Sequence, residues 1–345
     1  MFSLILTFVL CLASTLLSPV HAAAVPACKG CVPDTPVAAR TVAYFGQTRS
    51  QRTDSLAKFC ADESVDIVVL AFVHIIKGKG GLPGLNLSGY CGIPINGTDL
   101  LSCPEFGTAI TKCQAKGKLV FLSLQGSTGE QTLDNNTAAI EYADSLWKLF
   151  GEGTGLESMR PFGNAKVDGF DIGISPSPPP PSNRESQLTI TNSDNESFDS
   201  NGWPKFISEL RKKYASASKK YYISAAPQCP HPDVSIGDAV YLVDYLFIQF
   251  YNNFCATTGL VSSFGTWSKD IAANGIKGAK IFAGFLGAPN TGSGYATHSE
   301  MIGYISQIRN SSNFGGVSVW DAARARKNED AGGRSFLKAM RDSLG

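Results

Sequence analysis

A surplus of charge is the first thing this sequence lacks. Thirty basic and 29 acidic side chains leave a net charge of +1 over 345 residues. Nucleic-acid binders and polybasic membrane-surface proteins need a sustained field of one sign, so both classes are excluded. Histidine is scarce, with four in the chain. His74 has no second His or Cys beside it, and no metal site is expected. No Gly-rich phosphate loop follows the first apolar run, which argues against a doubly wound nucleotide-binding sheet. Beyond the N-terminus no stretch is long and apolar enough to span a bilayer. At 43% hydrophobic and 17% charged, the chain is nonetheless globular rather than disordered.

The N-terminus carries an address. Leu4–Leu10 is apolar apart from Thr7, and Leu12 and the Leu16–Leu17 pair extend it. Cys11, Ser14 and Pro19 break it before it reaches spanning length. Val20-His21-Ala22 has the spacing of a cleavage site, so residues 1–22 are expected to be a signal peptide, although the leading segment lacks Lys and Arg. Removing it leaves eight of nine cysteines, an even number that reads as disulfides in a secreted chain. Sequons at Asn86, Asn96, Asn135, Asn195 and Asn310 agree with an extracellular location. Residues 23–40 are expected to be a flexible Pro/Ala-rich tail. Cys28 and Cys31 lie in it without a second Cys or His pair, so a metal knuckle is not expected.

From residue 41 short apolar runs alternate with helical stretches. The runs are Thr41–Phe45, Val65–Phe72, Lys118–Leu124, Val167–Ile174, Tyr221–Ala226, Val243–Phe250, Ala279–Phe285 and Gly316–Trp320. Several are apolar on both parities, as strands of a parallel sheet covered on both faces must be. Helices are expected near 52–61, 104–116, 136–150, 203–218, 262–274, 298–309 and 331–343, with a short one at 233–241. Eight such units predict a single α/β domain over 41–345, a (β/α)8 TIM barrel. A Pro/Ser-rich insertion at 175–200 interrupts the rhythm, and its composition builds no core. It follows the fourth run and therefore belongs to the rim where barrel active sites lie.

The fourth run reads Asp168-Gly-Phe-Asp171-Ile-Gly173-Ile-Ser175. Alternate residues of a strand share a face, so 171, 173 and 175 point together into the lumen of a barrel. Only Asp171 carries an acid. The segment resembles the Asp-Gly-x-Asp-x-Asp-x-Glu signature of class III chitinases of glycoside hydrolase family 18. It departs at Gly173, where the family has Asp, and at Ser175, where the family has its catalytic Glu. Colinear segments extend the resemblance over residues 40–345. They are Ala43-Tyr44-Phe45-Gly46-Gln47, Leu85-Asn86-Leu87-Ser88-Gly89-Tyr90-Cys91, Ser224–Pro230, Gln249-Phe250-Tyr251-Asn252-Asn253 and Gly316–Trp320.

The resemblance implies a cleft for chitin or N-acetylglucosamine oligomers, no cofactor and a monomer. Family enzymes use the substrate's own acetamido oxygen as nucleophile while the Glu protonates the leaving oxygen. It places Tyr44, Gln47, Phe72, Asn86, Gln228, Gln249, Tyr251, Asn252 and Trp320 along the cleft. Tyr251 would hold the acetamido group and Trp320 would form the floor of the central subsite. Each also has a plainer reading. Tyr251 and Trp320 read as core aromatics, the three glutamines as structural amides, and Tyr44 and Phe72 as core. Gln125 stands where the family has the first Gly of a Ser-x-Gly-Gly segment, and its bulk is expected to narrow the cleft. The implied disulfides are Cys60–Cys113, Cys91–Cys103 and Cys229–Cys255, which leaves Cys28–Cys31. Glycans are expected on Asn96, Asn135, Asn195 and Asn310, but not on Asn86, where one would fill the groove.

An alcohol at 175 is too weak an acid to replace Glu. The expected function is therefore that of a secreted, inactive binder of chitin oligomers, which would sequester them from an immune receptor as chitinase-like fungal effectors do. A glycosidase inhibitor acting through the rim loops, including 175–200, is the alternative, and a residual chitinase is the third reading.

Overall fold

The computed structural model describes residues 38–48, 55–125, 133, 135–173 and 202–345. The expected signal peptide, the Cys28–Cys31 pair, Ser175, the insertion at 175–200 and Asn195 lie outside the described residues.

Eight parallel strands close on themselves. They are β1 Arg40–Phe45, β2 Ile67–Ile75, β3 Leu119–Leu124, β4 Gly169–Ile172, β5 Tyr222–Ala225, β6 Tyr245–Gln249, β7 Lys280–Leu286 and β8 Phe314–Trp320. Each pairs with the next, and β8 returns to β1 through the register Arg40↔Gly316 to Ala43↔Val319. Closure removes every free strand edge. Gly316 permits the seam. Its φ is +138°, and a Cβ there would overlap the Arg40 carbonyl.

The strands are apolar on both faces because two layers cover them. Val42, Val69, Phe121, Phe247 and Phe282 fill the lumen. Ala43, Val68, Leu70, Val120, Leu122 and Phe170 point the other way, into the layer packed by the helices. The principal helices are α1 Leu56–Phe59, α2 Pro104–Ala115, α3 Asn136–Phe150, α4 Gly202–Tyr214, α5 Leu260–Asn274, α6 His298–Ile308, α7 Ala322–Lys327 and α8 Phe336–Ser343. Local chemistry sets their starts. Pro104 opens α2, Asn135 Oδ1 accepts from the Ala138 amide, and Thr297 and Glu300 form a capping box.

Several boundaries differ from expectation. The compact unit begins at Ala38 and β1 at Arg40, so residues 38–40 belong to the barrel and not to a tail over 23–40. β2 runs to Ile75 because Gly84–Leu85 pairs antiparallel with its end. The last helix starts at Phe336 rather than 331. Asp330 ties Gly332 and Arg334 into a turn first, and Ser335 caps the helix. Helix α4 ends at Tyr214, and α7 was not expected at all; Asp321 nucleates it by accepting from the Arg324 amide.

Three disulfides cross-link the loops and the outer layer: Cys60–Cys113, Cys91–Cys103 and Cys229–Cys255. These are the pairs that the resemblance implies.

Candidate functional site

The site grows from one register row. Ser123 of β3 stands opposite Asp171 of β4, which stands opposite Ser224 of β5. All three point into the lumen. The Ser123 hydroxyl donates to Asp171 Oδ2 at 2.6 Å, Tyr44 OH donates to the same oxygen at 3.0 Å, and the Ser224 hydroxyl donates to Oδ1 at 2.7 Å. Asp171 is fully buried. Burial pushes its carboxyl above the usual carboxylate value, and the three hydroxyl donors offset only part of that. Its negative charge, after burial, helps to raise the phenols of Tyr44 and Tyr251.

Gly173 is next along that face. A Cβ at this position would overlap the Ser123 hydroxyl and touch the Phe72 ring at 3.4 Å. Ser123 therefore occupies the space in which a side chain at 173 would begin.

Above this row lies an aromatic floor. Trp320, at the end of β8, stacks on Phe72 at 5.6 Å with 25° between the planes, and Tyr44 tilts against it at 5.7 Å. Tyr44 is buried, whereas Phe72 and Trp320 stay half-buried. Asn86 exchanges both backbone hydrogen bonds with Phe72, which sets it beside the floor. Its side chain is exposed, and Oδ1 accepts from the Ser88 amide at 2.8 Å. Tyr251 is 9% exposed at the end of β6.

The amides are largely spent on the scaffold. Gln47 Nε2 donates to the carbonyls of Ala71 and Asn86, and Gln249 Nε2 donates to that of Ala226. Gln228 Oε1 accepts from Asn253 Nδ2, and Asn252 Oδ1 accepts from the Ser293 amide. Their structural bonds leave Gln47 and Gln249 the amide oxygen, and Gln228 the amide nitrogen, for any ligand. Gln125 is buried with φ at +70°, so it keeps a backbone conformation that favours glycine.

Asp168 belongs elsewhere. It precedes β4, three residues before Asp171 and hence on the opposite parity. Lys219 holds one oxygen at 2.5 Å, and Gln114 and the Val120 amide hold the other. It anchors strand and helix rather than the lumen. Sequence reading gave Ser123 and Ser224 no role at the site, although a lone serine at lumen parity in an otherwise apolar strand was a readable signal. Exposure at Asn96, Asn135 and Asn310 leaves room for glycans.

The class is thus a (β/α)8 barrel whose lumen holds the buried carboxylate of Asp171 under an aromatic floor. Within that class, the chain belongs to glycosyl hydrolases family 18, whose pattern matches residues 40–296. It is 36% identical over 304 residues to Chitinase 2 of Candida albicans, an alignment covering 87% of this chain and 47% of that protein. The chain spans about half the length of the first curated relatives it matches. Among solved structures it superposes on the ICChI chitinase of Ipomoea carnea with a TM-score of 0.69, covering 88% of this chain and 99% of that one; at 24% identity that likeness shows the fold alone. The xylanase and α-amylase inhibitor protein XAIP-II of Scadoxus multiflorus gives a TM-score of 0.65 at 26% identity, with coverages of 88% and 97%.

Proposed function

We propose that this chain is a secreted chitinase-like protein that binds chitin oligosaccharides and does not hydrolyse them. The reading rests on one observation above all: next to Asp171 on the lumen face stands Gly173, with no acid, while the aromatic floor stands assembled. A positioned general acid contributes about 10²–10⁴ in rate. Ser175 cannot supply that proton at neutral pH. Gly173 also removes the charge that would stabilise a cationic intermediate, and the two losses do not simply add. Asp171 does not substitute, being buried and engaged by three hydroxyls. Binding survives such losses, because a sugar ring needs a flat apolar face and a few amides and hydroxyls at its edge. A secreted binder of this kind withholds chitin fragments from other receptors.

Calorimetric titration with N-acetylglucosamine oligomers, beside a hydrolysis assay, tests the reading. We expect micromolar binding, about 8 kcal/mol, and no released product. Trp320→Ala should weaken binding more than any other cleft substitution, by at least about tenfold. Turnover by contaminant-free protein restores the hydrolase reading, to which relatives named chitinases lend support. No heat of binding points instead to inhibition of another glycosidase through the rim, for which the likeness to XAIP-II is the supporting observation. Assays against a xylanase and an α-amylase then decide.

A further inference from the structure

A second feature of the same rim has no part in the site described above. The loop after β6 carries Phe254, which is 87% exposed, more than any other large apolar side chain among the described residues. Leaving a benzyl ring in water forgoes the free energy of burying it. The ring borders a hollow of about 270 Å³, whose other walls include Pro230, His231, Ser262 and Thr266.

The hollow is rigid. The Cys229–Cys255 bridge ties the loop after β5 to the loop after β6, and Asn253 bonds Gln228 across the same gap. The His231 ring is held by Asp270 at 2.9 Å and packs edge-on against Trp267 at 4.8 Å. Ser262 and Thr266 stand one turn apart on α5. Each donates its hydroxyl proton to a backbone carbonyl, of Gly259 and of Ser262 respectively. Their oxygens remain as acceptors towards the hollow.

We propose that Phe254 and this hollow form an additional sugar-binding subsite that lengthens the cleft for oligomeric N-acetylglucosamine. The chemistry fits one pyranose. A flat apolar ring faces the C–H side of the sugar, and hydroxyl oxygens accept from its hydroxyls. The volume lies below that of pockets for larger ligands and suits a single ring. Position fits as well. Phe254 lies three positions after Tyr251, so their Cα atoms lie within about 11 Å, a distance that a short sugar oligomer spans. The bridge fixes the platform before any ligand arrives, which lowers the ordering cost of binding.

The inference rests on the chitin-binding reading, and the test separates the two. Wild type, Phe254→Ala and Phe254→Trp are titrated with the trimer and the hexamer of N-acetylglucosamine. Phe254→Ala should weaken the hexamer roughly five- to tenfold and leave the trimer within about twofold. Phe254→Trp should hold hexamer affinity at or above wild type. Hexamer affinity unchanged in Phe254→Ala, with wild type binding normally, overturns the subsite alone. The same unchanged affinity together with loss of a concentration-dependent dimer assigns Phe254 to a protein contact, which also overturns it. Failure of wild type to bind either oligomer overturns the chitin-binding reading and the subsite with it.

Discussion

Asp171 meets three hydroxyls and no cation among the described residues. Burial raises its carboxyl, so the native chain binds that proton more tightly than the unfolded chain does. Stability from this group is complete below the unfolded value of about 4 and is lost as pH rises through the raised native value. Denaturant unfolding of Asp171→Asn from about pH 3 to pH 8 should lack that loss, and wild type should show it; parallel curves would place the carboxylate's ionisation outside this range. Gly173 makes a separate prediction. Gly173→Asp must turn the Ser123 hydroxyl away from Asp171, which costs one buried hydrogen bond, about 1 kcal/mol. In a Ser123→Ala background most of that cost should vanish, and thermal unfolding of the two variants measures the difference. None of this was visible in the strand-four motif alone. The sequence places Asp171 on the lumen face, but which hydroxyls reach it depends on the register between strands, set by closure of the whole sheet.

At the scale of elements, the bridges divide the labour. Cys229–Cys255 encloses 26 residues and joins the loops after β5 and β6. Cys60–Cys113 spans 53 and joins the end of α1 to α2, in the outer layer. Loop entropy alone assigns them about 3.5 and about 4 kcal/mol of stability. Replacing the first pair by serines should lower both the melting temperature and oligomer affinity, because Asn253, Gln228 and Phe254 lose their clamp. Replacing the second should lower the melting temperature and leave affinity within about twofold. A titration of both variants, beside their melting curves, checks the division. The strands and central helices were legible because their apolar periodicity is strong and long. Helix α7 was not, since six residues rich in Ala and Arg show no such stripe and owe their start to one cap on Asp321. The start of α8 was misplaced because the turn held by Asp330 depends on side-chain bonds that periodicity does not register.

For the whole molecule, eight runs in order were enough to expect a barrel, and the parallel ladder closes as that count required. That Tyr44, Phe72 and Trp320 belong together was legible only through resemblance, since they are far apart in sequence and meet only when β1, β2 and β8 become neighbours. That geometry sharpens the expectation for glycans. Asn86 is backbone-paired with Phe72, so a glycan there would stand at the edge of the floor. We expect Asn86 unmodified and Asn96, Asn135 and Asn310 occupied. At Asn135 the attachment uses Nδ2, so the cap on α3 through Oδ1 survives. Peptide mass mapping of secreted protein reads all four. High occupancy at Asn86 in protein that binds oligomers normally would remove that residue from the cleft.

The overlap between Ser123 and any side chain at 173 also carries a consequence for redesign. A side chain at 173 meets the Ser123 hydroxyl in its present rotamer, and vacating 123 strips Asp171 of a hydroxyl donor. Positions 123 and 173 therefore form one unit, and a charge placed on this face has to be introduced at both together.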